Sequence, residues 1–240
     1  MATKSASAGA RSVGAALGYL WYEIHNANAF CFDSLFNNPT LSDVKIKQIF
    51  KGKVREYHAH KQILARGSKF FLNAFTGNFK EAHDNVMEVH DDVPEHFEIA
   101  LMYLYTDVYD EAAVTRLAAQ DDEKRVRIPI ELFVVADKYG IDRLAKLAAN
   151  DVGVTLTPIL APSGHRKLRE DMVEAAIQEC YQTLLTADTI LGRCLSAAVI
   201  DHYKIFILSE KMKDLIRQYP SFAVDLALKL HERGTLGVEK

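Results

Sequence analysis

The chain has 240 residues, of which 49% are hydrophobic and 25% are charged, and its formal net charge is −3. This composition supports a sizeable folded core and excludes a chain that is disordered throughout. The slightly acidic balance argues against direct nucleic-acid binding. The sequence contains neither the run of roughly 20 apolar residues that crosses a membrane nor the apolar core of a secretory signal, so we expect no membrane partner.

The cysteine pattern favours a reducing compartment. Cys31, Cys180 and Cys194 are widely spaced and form no C-x-x-C pair. Such residues typically act as small apolar side chains in an intracellular protein. We therefore expect an intracellular location, in the cytoplasm, the nucleus or both.

The first 38 residues divide into two segments. Residues 1–14 are small, polar and dotted with glycine, which predicts a disordered arm. Residues 15–38 have helical spacing that stops at an Asn-Asn-Pro sequence. The apolar positions of this helix include Leu17, Leu20, Trp21 and Ile24. A helix ahead of the compact domain packs either on the chain's own core or against a second copy, so these residues are candidate dimer contacts.

Alternating apolar residues predict a β-hairpin at the start of the main domain, which we place at 39–156. The first strand runs from Leu41 to Ile49, and its apolar positions are Val44, Ile46 and Ile49. The second begins after a Lys-Gly-Lys turn. His58 and His60 lie two residues apart and therefore point to one face of the strand. Because no third ligand is evident, we expect a structural role for them rather than a metal site.

An aromatic helical segment follows the hairpin. Ile63, Leu64, Phe70, Phe71, Ala74 and Phe75 fall on one helical stripe, which predicts a buried core element. Ser68 follows a glycine and is a suitable N-cap for the second half of this segment. A Gly-containing turn then leads to Phe79-Lys80-Glu81, and residues 86–90 alternate as a third strand.

Helices dominate the rest of the chain. Pro94 predicts a helix start, and we interpret the preceding Asp91-Asp92 as acids at the positive end of that helix rather than metal ligands. Residues 110–128 are polar and predict an exposed loop insertion, after which Pro129 predicts another helix start. Residues 157–164 predict a linker, and residues 165–240 a helical extension.

No motif of an enzyme stands out in the sequence. There is no phosphate-binding glycine loop, no G-x-S-x-G, no H-E-x-x-H and no EF-hand pattern. We therefore expect no catalytic residue, no cofactor and no metal, and we interpret the chain as a non-enzyme.

Residues 41–150 resemble the BTB/POZ domain, in the form common in fungal proteins. The resemblance rests on L-S-D-V at 41–44, H-A-H-K-x-I-L-A-x-x-S-x-x-F at 58–71, F-E-I-A-L-M-Y-L-Y-T at 97–106 and L-F-V-V-A-D-K-Y-G-I-D-R-L at 132–144. It implies an α+β fold, in which a small β-sheet is flanked by helical hairpins and followed by an all-α extension. The loop insertion departs from compact members, and no kelch, zinc-finger, MATH or ankyrin pattern follows as the usual substrate-reading module.

The resemblance also implies a protein–protein interaction module that is often a homodimer and has no catalytic residues. Many family members are adaptors for the cullin scaffold of ubiquitin ligases, which they contact through a hydrophobic-x-Glu segment after the aromatic helix. The candidate cullin-binding residues are Phe71, Phe75, Phe79, Lys80 and Glu81. Asp43 matches a position near the dimer seam, and His60 and Ser68 match structural positions. The alternative function is a transcription-related dimerisation scaffold that recruits a co-regulator.

Overall fold

The computed structural model describes residues 32–160, 166–184, 186–202 and 209–234. The predicted arm and the predicted dimer contacts Leu17, Leu20, Trp21 and Ile24 lie outside these residues. Only the end of the predicted helix at 15–38 is described, and it contains a short 3-10 helix, Phe32–Leu35. This short helix packs its apolar side against the main domain: the Phe36 ring just beyond it lies edge-on to Tyr105, with 5.6 Å between centroids.

A three-stranded mixed sheet forms one side of the domain. Its strands are β1 (Val44–Phe50), β2 (Lys53–Ala59) and β3 (Val86–His90), in the order β2-β1-β3. β1 pairs antiparallel with β2 and parallel with β3. Lys51 and Gly52 both have positive φ (48° and 75°), which is the type I′ geometry that matches the twist of a two-residue hairpin. The predicted hairpin and third strand are confirmed.

The inward face of β1 departs from the prediction. Val44 and Ile46 are buried as expected, but the next inward position belongs to Gln48, which is 1% exposed, and not to Ile49. The Gln48 amide is accommodated because its Nε2 donates a hydrogen bond to the Asp92 carbonyl at 2.8 Å. The side chains of a strand alternate strictly between its two faces. The inward position after Ile46 is therefore Gln48, although this residue is polar.

Eleven helices in the described residues surround and extend the sheet. They are α1 (Lys61–Gly67), α2 (Lys69–Thr76), α3 (Lys80–His83), α4 (Pro94–Thr106), α5 (Glu111–Ala118), α6 (Asp122–Lys138), α7 (Asp142–Leu160), α8 (Arg166–Thr183), α9 (Ile190–His202), α10 (Glu210–Gln218) and α11 (Pro220–Glu232). α1 to α3 form the crossover between the hairpin and the parallel strand β3. A small sheet with helical hairpins and a helical extension is the α+β architecture that the sequence predicted.

The prediction of a loop insertion at 110–128 is wrong. This segment forms α5 and the first half of α6, and the carboxylates of Asp110 and Asp121 cap the two helices by accepting from backbone N–H groups. The apolar residues that it buries are Val114, Ala118, Val126 and Ile128. Most of the charged residues between them are exposed, so charge density alone led to the wrong prediction.

Two predicted boundaries also shift. Pro129 does not start a helix but lies inside α6, where it is buried. An internal proline costs about 3 kcal/mol, which the burial of the surrounding apolar residues offsets. α7 continues through the first half of the predicted linker 157–164 as far as Leu160, and residues 161–165 lie outside the described part of the chain.

The extension packs on the domain without a break in the core. α9 packs against α7, α8 packs against α6, and α11 lies against α9. The buried residues of the sheet, the domain helices and the extension belong to one hydrophobic cluster. On the opposite side, Arg55 of β2 ties the outer strand to α4 through Glu95 at 2.7 Å and Glu98 at 3.4 Å.

Candidate protein-docking surface

The segment Phe79-Lys80-Glu81, which we call the docking loop, follows α2, and exposure increases along the chain from Phe71 through Phe75 to Phe79. Phe71 of α2 is 1% exposed, Phe75 is half-buried and Phe79 is 60% exposed. The Phe71 and Phe75 rings stack with their centroids 5.7 Å apart. An exposed phenylalanine placed next to a stacked aromatic base can serve as an anchor for a partner.

The other phenylalanine of the predicted stripe is only partly buried. Phe70 is 37% exposed, and its ring lies edge-on to Phe71 and Tyr139. Of the three phenylalanines predicted to fill the core from this helix, only Phe71 is therefore fully buried. Two adjacent residues on a helix are about 100° apart, so the stripe cannot bury both Phe70 and Phe71 equally.

The docking loop is shaped by its immediate neighbours. Phe79 is the N-cap residue of α3, and its carbonyl accepts from the Ala82 N–H at 3.1 Å. A Cβ atom on Gly77 would lie only 2.9 Å from the Phe79 ring, so the ring folds over a position that a larger residue would crowd. Lys80 is exposed and Glu81 is half-buried beside it.

Asp43 lies at the junction of the strand and the first helix. Its Oδ1 accepts a 2.7 Å hydrogen bond from the backbone N–H of Lys61, the first residue of α1. Carboxylates stabilise helix N-termini because the first N–H groups have no intrahelical partner. Asp43 is otherwise exposed, which leaves its second oxygen accessible to solvent.

His60 is buried between two hydrogen-bonding groups. Its Nε2 lies 2.8 Å from the Thr40 carbonyl, and its Nδ1 lies 3.0 Å from the Tyr105 hydroxyl. Since a carbonyl can only accept, Nε2 carries the proton and Nδ1 accepts from Tyr105. Burial raises the pKa of Tyr105 to about 12, which keeps that hydroxyl protonated. His60 therefore links α4 to the loop that precedes β1 and is not available to a ligand.

Ser68 joins α2 to the end of α6. Its Oγ accepts from the Phe71 N–H at 3.1 Å and donates to the Tyr139 carbonyl at 2.5 Å. The same region is reinforced by Gly140, whose φ is +60° and whose carbonyl accepts from the Lys69 N–H at 3.2 Å. The aromatic base of the docking loop is thus fixed to the domain core.

A cleft of about 500 Å³ lies beside this base and was not found from the sequence. Its walls come from α1, α2, α4 and the start of α7, with Leu72 exposed on one side and Arg143 on the other. Arg143 is paired with Asp107 at 2.8 Å. Because these residues come from three separate stretches of the chain, 65–72, 103–107 and 140–143, no local sequence motif marks the cleft.

The sequence also missed the role of Asp92. Its buried carboxylate lies 2.9 Å from Lys138 Nζ and accepts a 2.5 Å hydrogen bond from the Tyr139 hydroxyl. Asp92 is therefore the buried partner of an ion pair with the more exposed Lys138, and not simply an acid at a helix start. Across the described residues, no group of three His, Cys, Asp or Glu side chains is arranged to hold a metal ion. None of the described helices is long and apolar enough to cross a membrane.

These features define a mixed sheet wrapped by helical hairpins that presents an exposed aromatic loop. The BTB/POZ domain model matches residues 32–152, about half of the chain. The chain therefore belongs to the BTB/POZ domain family. A domain of this family is a protein–protein interaction module, and the family is generally non-enzymatic.

Individual relatives agree with the family assignment. The chain is 32% identical to human BTB/POZ domain-containing protein 6 over 122 residues, and 34% identical to human BTB/POZ domain-containing protein 3 over 123 residues; each match covers 51% of the chain. It is 33% identical to zebrafish Kelch-like ECH-associated protein 1A over 92 residues, which is 37% of the chain. The matches span 20%, 21% and 15% of those proteins, respectively.

Proposed function

We propose that this chain is a homodimeric adaptor that docks a cullin-type scaffold through the docking loop, acting in the cytoplasm or the nucleus. The observation that carries the proposal is the 60% exposure of Phe79, four residues after Phe75 of the stacked Phe71–Phe75 pair. Glu81 adds an acidic group two residues further along, and Lys80 lies between them.

The test is titration of the full chain with a cullin N-terminal domain. Burial of one aromatic anchor contributes about 2 kcal/mol or more, so a Phe79→Ala, Glu81→Ala double variant should bind about 30-fold or more weakly. Val154→Ala is the matched control, because Val154 is similarly exposed but lies on α7. A double variant that binds as tightly as the wild-type chain would remove the docking loop from the proposal.

Dimerisation is proposed to use the N-terminal segment and the face near Asp43. The support is the exposure of Asp43 and the hydrogen bond that it accepts from the first N–H of α1, which fixes its position on the surface. Light scattering at micromolar concentration should give twice the mass of the chain. A monomer mass under these conditions would overturn the homodimer.

A second candidate is a transcription-related scaffold that recruits a co-regulator. The cleft beside α2 favours it, because the exposed side chain of Leu72 and the buried side chain of Tyr103 line the same space. Affinity purification from native cells, followed by mass spectrometry, separates the two candidates. Recovery of a cullin supports the adaptor, whereas recovery of nuclear co-regulators without a cullin supports the scaffold.

A further inference from the structure

We infer that Lys61 is the positioning residue that holds the docking loop in its binding conformation. This inference deepens the proposed function and rests on it. Lys61 is the first residue of α1 and is half-buried. Its side chain reaches across the crossover to the helix that carries Lys80 and Glu81.

The Lys61 ammonium group is saturated by backbone oxygens of that helix. Nζ donates to the carbonyls of Glu81 at 3.2 Å, Ala82 at 3.2 Å and Asp84 at 3.0 Å. An ammonium has three donors, so its full donor capacity is used on one short segment. The carbonyls in the last turn of a helix have no intrahelical partners, and a cation there satisfies them and favours the local dipole.

The α3 helix needs such a tertiary contact to remain folded. It contains four residues, buries none of them, and is closed at its end by the hydrogen bond from the Asp84 N–H to the Lys80 carbonyl. Helices of this length do not persist without tertiary contacts, because the first turn is entropically unfavourable. The other end of the loop, at Phe79, is exposed.

Lys61 itself is fixed on the domain side. Its backbone N–H donates to Asp43, and its ammonium lies 5.4 Å from the centroid of the Phe75 ring. The next turn of α1 buries Ile63 and Leu64 in the core. One residue thus connects the core, the aromatic base and the docking loop, and its loss should release the loop without opening the core.

The consequence for binding follows from the fraction of molecules with an ordered loop. The apparent dissociation constant rises in inverse proportion to that fraction. If the docking loop is ordered in a tenth of the molecules, binding to a cullin N-terminal domain weakens about tenfold. Lys61→Met keeps the apolar stem over Phe75 and removes only the donors.

The experiment compares Lys61→Met and Lys61→Gln with Lys47→Met in the full chain. Lys47 lies on β1 with its Nζ 4.0 Å from Glu56, so its variant removes a surface lysine at a distance from α3. The two Lys61 variants should accelerate hydrogen exchange at the amides of Ala82 and Asp84, and Met should do so more than Gln. Lys47→Met should leave exchange at these amides unchanged.

A second readout separates positioning from general stability. In the Phe79→Ala background, Lys61→Met should weaken cullin-domain binding by less than it does in the wild-type background, because the anchor that Lys61 positions is already absent. Equal losses in both backgrounds, or unchanged exchange at Ala82 and Asp84, would overturn the inference. If the wild-type chain does not bind the cullin domain, the proposed docking partner fails, and the exchange data still decide whether Lys61 holds the loop.

Discussion

Ser68 uses one hydroxyl for two hydrogen bonds that join separate helices. It accepts from the Phe71 N–H and donates to the Tyr139 carbonyl, and it is itself buried. The cap satisfies a helix N–H that has no partner of its own. The bond to Tyr139 also fixes the end of α6 against α2, so this single side chain links the base of the docking loop to the helix beneath it.

Ser68→Ala should lower the free energy of unfolding by about 1–2 kcal/mol, because it removes an N-cap and a buried hydrogen bond. Urea denaturation measures the change. Thr115→Ala serves as the control, since Thr115 is an exposed hydroxyl that bonds only to the Glu111 carbonyl one turn earlier. A loss no larger than that of the control would mean that Ser68 is not part of the structural link.

His96 is the buried titratable residue with the clearest consequence for pH. Burial lowers its pKa, because the charged imidazolium loses its hydration; nearby Glu95 acts in the opposite direction, and Arg127 adds to the lowering. Its Nε2 lies 3.4 Å from Glu131, and burial raises the pKa of that carboxyl. The folded state therefore favours a neutral His96.

The stability provided by neutral His96 should be present above about pH 6.5 and lost as the pH falls toward its lowered folded pKa, by up to about 1.4 kcal/mol per pH unit. The raised pKa of Glu131 acts in the opposite sense, since its stabilisation is lost as the pH rises. His96→Gln should therefore lose less stability between pH 7.5 and 5.5 than the wild-type chain. The exposed His90→Gln variant is the control, and identical pH profiles for wild type and His96→Gln would contradict the expectation.

At the scale of elements, helices α6 and α7 are held together by a largely buried ion pair. Arg125 of α6 makes a bidentate contact with Asp151 of α7, at 2.7 and 3.1 Å. Asp151 also accepts from the Tyr109 hydroxyl at 2.6 Å and from Thr155 at 3.2 Å. Burial, followed by the adjacent Asp151 carboxylate, raises the pKa of Tyr109, so its hydroxyl stays protonated and donates.

Arg125→Met should destabilise the protein by about 2–4 kcal/mol, because it leaves a buried carboxylate without its counter-charge. Adding Asp151→Asn should recover a large part of that loss, since the uncompensated charge is then removed and the Tyr109 bond is kept. Chemical denaturation of the single and double variants checks both statements. A double variant less stable than Arg125→Met would show that the unpaired charge of Asp151 is not the cause of the stability loss.

Local signals allowed some elements to be predicted from the sequence. The third strand and the helix that begins at Pro94 are confirmed, because alternation and a fixed proline φ act within a few residues. Asp92 and Gln48 were misjudged, because each is satisfied by partners more than forty residues away.

The candidate site also combines a feature that a local pattern predicts with features that depend on residues distant in the chain. The motif located the docking loop, whereas its connection to Lys61 spans some twenty residues of intervening chain and has no local pattern. The cleft combines three separate stretches of the chain and was missed for the same reason. The helices at 110–128 were missed because their buried residues are small or isolated among charges.

The molecule as a whole has a continuous core that includes the extension. Gly192 of α9 illustrates how closely the extension is packed. A Cβ atom there would lie 2.8 Å from the Tyr181 hydroxyl and would collide with the buried Asp225 carboxylate. Asp225 accepts from the Tyr181 hydroxyl at 2.6 Å, so the collision would also disturb a buried hydrogen bond.

Gly192→Ala should lower the unfolding free energy by about 1–3 kcal/mol through overpacking, and it should do so for the whole chain. Hydrogen exchange measures this by comparing amides of β1 with amides of α9, which should both lose protection. Gly153→Ala is the control, because no atom lies within 4 Å of a Cβ there and alanine favours a helix. Loss of protection in α9 alone would mean that the extension unfolds as a separate unit.

The outer strand β2 has a consequence for how the protein avoids aggregation. Within the described residues no strand pairs with its outer edge, and unpaired strand edges can template fibril-like stacking. β2 begins with exposed Lys53 and also exposes the adjacent charges Arg55 and Glu56. An incoming strand would have to approach these charges and disturb the ion pairs of Arg55 with α4. Arg55, which links β2 to α4, thus also hinders the pairing of β2 with a strand of another molecule. Association between molecules is then left to the helical surfaces.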